Sequence, residues 1–594
     1  MTVMSAPRTC WLVGVLVSGT LLAGFPSPWS VFGATKPAAE KSPTAAHPVT
    51  SAAEDGYVGS EACSKCHSDI YRDFKQTRMG RSLARPTPSL LENLPTSASV
   101  FSEALDRHYE IFTKDGKLYQ AESQTDSAGR EVFRSSHPVD WLIGAGMNGY
   151  SALVKRGNYI FEAPLSFYAK TGKWEMSPGY EAKDLGFNRP VLAGCISCHS
   201  GRPDPADQNT GKFKPVAFTQ LAIGCENCHG PGQEHVHARS IHSQAAGSGR
   251  IVNPGRLTAE LDNDICMSCH EAGDSRVLKP GKTYQDFRPG TPLDETMAIL
   301  MVPPKPDNPN DSDHVQHYFQ MSMSKCYRAS SGQLRCTTCH DPHIEPSSEE
   351  APEYFNAKCA SCHASRTCTL PAAARRQTTP ADNCIGCHML KREAAETAHT
   401  VLTEHRIVIR PDEPWPPEAF RQTTPSLPDL IHLDKIPGQS EDLPLLSLLE
   451  GYREITERKP EYAASYAKVL AELEHTEPDN ATVQQALGHR DLESGEPQKA
   501  IEHLERAAQL DPQQAMTYSY LAEALGQQGA VDKAIAAGEK AVSLNPYNQL
   551  LQKALIDRLI AGKEYQKALA AMEHYLEVFP EDSFMRQMLA IAKQ

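Results

Sequence analysis

The sequence has no long basic run and few apolar ones. Asp and Glu number 73 against 59 Lys and Arg, a formal net charge of -14. No segment concentrates the cations that a nucleic-acid backbone or an anionic membrane surface would attract, so neither is expected as a partner. Beyond residue 24 no stretch approaches the roughly 20 apolar residues that a bilayer-crossing helix needs. The stretch that comes nearest, WLVGVLVSGTLLAG at 11–24, has 14 residues. Arg8 precedes it and the small residues of FGA follow at 32–34, which is the order of a secretory signal peptide. Residues 1–34 are therefore expected to be a signal peptide, and the mature chain to be periplasmic or otherwise exported. Membrane association would require that this segment stay uncleaved.

Cysteine is plentiful instead. Seventeen cysteines in an exported chain would suggest a disulfide framework, but their spacing points elsewhere. Seven Cys-x-x-Cys pairs occur, and histidine follows each at once: Cys63, Cys66 and His67; Cys195, Cys198 and His199; Cys225, Cys228 and His229; Cys266, Cys269 and His270; Cys336, Cys339 and His340; Cys359, Cys362 and His363; Cys384, Cys387 and His388. Zinc ribbons and thioredoxin-like sites also use Cys-x-x-Cys, yet nothing in their chemistry requires histidine in the next position. With 23 histidines in 594 residues, seven such coincidences have a chance on the order of 1 in 10 billion, and the spacing is that of covalent haem attachment. One helical turn puts two thiols on a common side, where they can bond the haem vinyl groups, and turns the following imidazole toward the iron. The cofactors expected are seven haem c groups, with His67, His199, His229, His270, His340, His363 and His388 as their first iron ligands. Cys10 leaves with the signal segment. Cys326 and Cys368 remain, either as a disulfide or as two buried thiols.

The stretch CTTCHDPH at 336–343 adds a second histidine. Three residues of extended chain reach only about 10 Å, too little to carry His343 around the edge of the haem held by His340. Pro342 also disfavours helix at Asp341 and ends the turn. His343 is expected to bind the iron of a different haem; an ordinary surface histidine is the alternative.

With these residues in view, positions 57–410 resemble multihaem cytochromes of the cytochrome c554 and hydroxylamine oxidoreductase-like group, particularly exported members with tetratricopeptide repeats. The resemblance rests on YVGSEACSKCH at 57–67, CENCHGPGQEH at 225–235, CTTCHDPH, and AHTVLTEHRI at 398–407. It implies that His235, His343 and His405, with His399 as a further candidate, are distal iron ligands to haems other than the nearest in sequence. Relatives often carry histidine where this chain reads FKQTRMGRSL and GAGMNGYSAL. Met79 and Met147 stand there, as thioether ligands or as ordinary core residues, which leaves the first haem's distal ligand open.

At 594 residues the chain is too long for a single core. The expected fold is multidomain: a haem-packed, mostly irregular and α-helical multihaem cytochrome domain with a β-rich insertion, followed by an all-α tetratricopeptide solenoid. Residues 35–55 read as a flexible leader and 56–410 as the seven-haem domain. A β-rich insertion at about 100–190 is marked by the Asp115-Gly116 hairpin signal and by NYIFEAPLSFYAK at 158–170. From 195 to 388 the chain shows little apolar periodicity. Six haems there leave about 32 residues each, so the macrocycles must supply much of the core.

Residues 411–440 are proline-rich and read as a linker. From 441 to 594 a period of 34 brings Leu487, Leu521 and Leu555 into register, with Ala500, Ala534 and Ala568, and Pro512, Pro546 and Pro580. This is a tetratricopeptide pattern with a degenerate unit before it and a capping helix from 583, expected to present a face to a protein partner.

Two functions fit. If every iron has two ligands, the haems form a wire that passes electrons between redox protein partners. Distal imidazoles are in supply: besides His235, His343, His399 and His405 the region offers His108, His137, His237, His242, His314 and His317. If one iron is open, the chain is an oxidoreductase acting on a small nitrogen or sulfur compound. None of the seven motifs ends in lysine, as those of related nitrite reductases do, and no catalytic set is identifiable.

Overall fold

The computed structural model describes residues 56–241, 251–304, 316–363, 368–378, 381–393, 401–420, 430–433 and 443–594. The expected signal peptide and leader, and His242, His314 and His399, lie outside the described residues.

Two antiparallel sheets fill the stretch between the first two motifs. The first is a meander of Ala98–Ser102, Arg107–Lys114, Lys117–Thr125 and Glu131–Pro138. Its central hairpin turns on Asp115 and Gly116, with φ of 51° and 72°, the doubly positive backbone that a two-residue turn needs to match strand twist. The second sheet joins Leu83–Ala84, Trp141–Ile143, Gly149–Arg156, Tyr159–Tyr168 and Arg189–Pro190, with Lys173–Met176 also on Tyr159–Tyr168. The β region thus begins earlier than the sequence suggests. Tyr109, Ile111 and Leu118 of one sheet pack on Leu142, Phe161 and Leu165 of the other. The buried Gln120 side chain stitches them together: it donates to the Leu165 carbonyl at 2.8 Å and accepts from its N–H at 3.0 Å. A buried amide with both ends satisfied fixes the sheets' relative placement at little desolvation cost.

The motif region is built mainly of helices, two two-stranded sheets and one three-stranded sheet, Ser275–Leu278, Met297–Met301 and Ile431–His432. Strand alternation divides its two faces. Met297, Ile299 and Met301 pack on Met267 and Phe319, while Val277, Ala298 and Leu300 pack on Leu448, Leu449 and Tyr452 of the helix Leu445–Arg458. Between Lys325 and Arg392, which includes three motifs, none of the described residues is buried.

Helices Ala481–Glu493, Pro497–Leu510, Ala515–Gln527, Val531–Leu544, Gln549–Ala561 and Tyr565–Val578 pair in sequence order, with Ser583–Ala592 at the end. The 34-residue register is visible in the packing. Ala500, Ala534 and Ala568 are buried, as are Leu487 and Leu521, where small or apolar side chains let helices approach. The helix-ending positions Gly495, Gly529 and Lys563, also 34 apart, all have positive φ, at 74°, 77° and 61°.

The 411–440 tract is more than a linker: Trp415, Ala419, Leu430 and Ile431 are buried, the last two beside or within the three-stranded sheet. The solenoid packs on the rest of the chain at both ends. At its start, Glu454 accepts from the Ser275 hydroxyl at 2.6 Å, and a Cβ on Gly451 would stand 2.5 Å from Leu300. At its far end Tyr547 packs on Tyr159 and Phe161. There, too, Arg107 donates to the Glu581 carbonyl at 2.9 Å and Arg156 to that of Val578 at 3.2 Å. The reason is burial: both ends carry apolar side chains that sequence periodicity assigns to the solenoid alone.

Candidate haem centres

Each motif forms a single helical turn. Examples are Ala193–His199, Cys225–His229, Ala259–His270 and Cys384–His388. Where the turn ends a helix, the histidine N–H still bonds the first cysteine's carbonyl, at 2.9 Å for His67, 3.0 Å for His340 and 3.1 Å for His363. Cysteine and histidine therefore lie one turn apart, as attachment to a single macrocycle requires.

Four of the seven motif histidines face a second imidazole from elsewhere in the chain. The ring centroids are 6.5 Å apart for His67 and His235, 6.0 Å for His229 and His343, 5.6 Å for His270 and His317, and 6.3 Å for His340 and His405. Two metal–imidazole bonds of about 2 Å, with half a ring beyond each, would put axial ligands' centroids roughly 6 Å apart. All four gaps fit one iron. His317 and His405 are closer, at 4.3 Å, as neighbours from two different pairs.

Buried polar groups hold these pairs. Glu226 accepts from the N–H groups of Val58 at 2.9 Å, Gly59 at 2.7 Å and Gly232 at 2.8 Å. It thereby ties the segment entering the first motif to the turn leading to His235. Glu271, directly after His270, accepts from the N–H groups of Tyr318 and Phe319. These are orphan donors at the start of the helix His317–Ser322, so the capping fixes His317 beside His270. The N–H of His405 donates to Gln320 at 2.9 Å.

Tautomers follow from the same network. Nδ1 of His229, His388 and His405 lies 2.8, 2.8 and 2.9 Å from the carbonyls of Val252, Val408 and Thr403. A carbonyl can only accept, so Nδ1 carries the proton and Nε2 keeps the lone pair a metal needs. Burial pushes His317 down to about 3 and His405 to about 4, and lowers His229, His270 and His340, so all are neutral.

Thiols of different motifs also meet: Cys63 with Cys225, Cys198 with Cys269, and Cys266 with Cys336. The helix Ala259–His270 is common to the last two of these meetings. Its Asp262 accepts from the Thr337 hydroxyl at 2.7 Å and its Asn263 from the Cys336 N–H at 2.9 Å, while Cys198 lies 3.7 Å from its Ser268 carbonyl.

Other expected residues fall elsewhere. His108 and His137 belong to the four-stranded sheet, against Phe101 and Phe187. His235, rather than Met79 or Met147, faces His67; Met147 is 49 % exposed. Cys326 and Cys368 are both free. His199, His363 and His388 have no facing ring among the described residues. His317 was one of ten spare histidines in the sequence, with no motif to single it out.

No family model matches the chain. It is 24 % identical over 219 residues to the multiheme cytochrome MtrA of Shewanella baltica (strain OS185), covering 33 % of this chain and 63 % of that protein. The chain thus spans about 63 % of the length of this curated relative. Among solved structures, MamA is matched with a TM-score of 0.22 and 23 % identity, over 23 % of this chain and 81 % of that one. The Arabidopsis OM64 TPR domain is matched at 0.18 and 18 %, over 19 % and 93 %.

Proposed function

We propose that the chain is an exported, periplasmic multihaem c-type cytochrome. Seven haem c groups carry electrons between redox protein partners, and the tetratricopeptide solenoid supplies a docking face. The observation that carries this reading is the set of four imidazole pairs, each joining a motif histidine to one from a distant segment at a spacing that fits iron. Haem supplies the reversible one-electron chemistry. The chain would hold these groups with paired imidazoles, fixes the tautomers of His229, His388 and His405 through carbonyls, and brings thiols of different motifs together so that the cofactors they anchor are neighbours. The absence of buried side chains among the described residues from 325 to 392 supports macrocycles as the missing core.

In this reading, the groups anchored at Cys63 and Cys225 are adjacent. Those at Cys198 and Cys336 both adjoin the pair at Cys266 and Cys269, which becomes a junction. The test is twofold. Mass spectrometry of the exported chain should show seven haem additions that survive denaturation, and five or fewer would refute the count. Low-temperature EPR of the oxidised protein should show low-spin ferric centres. A predominant high-spin signal would favour an oxidoreductase acting at an open iron.

A further inference from the structure

A cleft of about 550 Å³, within the roughly 300–1,000 Å³ of small-molecule sites, lies where four segments meet. They are residues 76–81 after the first motif, 90–94, the turn at 145–150, and 345–348 just beyond His343. Neither motif cysteines nor paired histidines line it.

The lining mixes two chemistries. Leu90, Leu94, Phe167 and the half-exposed Met147 supply apolar surface. Arg78, Arg81, Gln76 and Asn93 supply donors. One carboxylate lines the cleft, Glu345, and it is already engaged: Arg78 Nε lies 2.5 Å and Arg78 N–H 2.9 Å from it. Arg81 has no carboxylate partner among the described residues. Its only side-chain bond there is a long one, 3.5 Å, to the Thr77 carbonyl. Burial raises the pKa of the Tyr150 hydroxyl, which also lines the cleft, and the charge of Arg81 offsets part of that rise. Gly146, with φ of 82°, leaves room for that ring, since a Cβ would stand 2.9 Å from the hydroxyl.

Arg81 is solvent-exposed and stands beside these apolar side chains with no carboxylate to compensate it among the described residues, on a chain whose net charge of -14 repels anions from most of its surface. We infer that this cleft binds a small organic anion, with its acidic group on Arg81 and its apolar body against Leu90, Leu94 and Phe167. The inference concerns binding alone and holds whether or not the haems form a wire.

The test is calorimetric titration of the oxidised, haem-loaded full chain with 2-naphthoate and with its neutral analogue 2-naphthamide. Expected are one site for the naphthoate, at least tenfold weaker binding of the amide, at least tenfold weaker naphthoate binding in Arg81→Gln, and partial recovery in Arg81→Lys. Haem number and EPR spectrum should be unchanged in the variants. Met147→Trp, a change at an exposed position that fills the cleft, provides a second route and should abolish binding with Arg81 intact. Equal binding of acid and amide, undiminished binding in Arg81→Gln or Met147→Trp, or no binding at all overturns the inference.

Discussion

The imidazoles of His229 and His343 lie with their centroids 6.0 Å apart and their planes 15° from parallel. His343 comes three residues after His340, yet the ring it faces belongs to a motif more than a hundred residues earlier. In the proposed reading, one peptide would supply ligands to two neighbouring centres. Replacing His343 by alanine should leave all seven haems attached, because thioethers and motif histidines remain. It should convert one low-spin iron to high-spin and open it to cyanide. An unaltered EPR spectrum would sink the assignment.

Glu226 is almost fully buried and serves three backbone N–H donors. Glu226→Ala leaves them without an acceptor, at an expected loss of roughly 2–4 kcal/mol. Because two of the donors precede the first motif and the third precedes His235, the same change should disturb the low-spin signal of the His67 centre. A thermal midpoint equal to wild type would show that water replaces the carboxylate.

The solenoid's far end meets the β region over buried charge. Burial, with Asp184 and Glu581 beside it, holds the Glu122 carboxyl well above its usual range, and burial pushes Glu581 up to about 7. Arg107, Arg156 and Arg586 face the group, and Asn188 bonds Glu581. A carboxyl that holds its proton more tightly in the closed junction contributes its full stabilisation below the ordinary pKa of 4.5 and loses it as pH rises through the folded value. The junction should therefore weaken from about pH 4.5 to 7 and beyond. Thermal midpoints by circular dichroism should fall over that range, with a shallower slope in Glu122→Gln; identical slopes would exclude Glu122 as the cause.

Lys563 occupies the left-handed position that glycine fills at 495 and 529. Lys563→Gly should stabilise the solenoid by about 1 kcal/mol, the cost of a side chain in that conformation. A lower melting midpoint would mean that the lysine side chain makes a compensating contact.

A chain ending at residue 440 loses Leu448, Leu449 and Tyr452 from over Val277 and Leu300. It should retain covalent haem but melt at lower temperature and bind an apolar dye. An unchanged midpoint without dye binding would show that the haem region stands alone.

What was legible in the sequence was local or periodic. Cys-x-x-Cys-His is complete within five residues, the 34-residue register repeats three times, and Asp115-Gly116 declares its own turn. The pairing of His317 with His270 was not legible, because it depends on Glu271 capping a helix 46 residues later. The anchoring of the solenoid was also hidden, since Arg107 and Glu581 are 474 positions apart and no local pattern joins them. Reading 411–440 from its prolines missed Trp415 and Ile431, single apolar residues whose burial is decided by a sheet formed elsewhere.

The contact between Arg107 and Glu581 also orders events in time. Closing a loop of that length is among the last steps a chain can take, because every intervening segment must exist first and the entropy of closure is met only by contacts at the end. All but the first of the seven Cys-x-x-Cys-His motifs lie inside the loop. A nascent chain thus presents them unclasped, and the clasp can form only after the whole set has emerged.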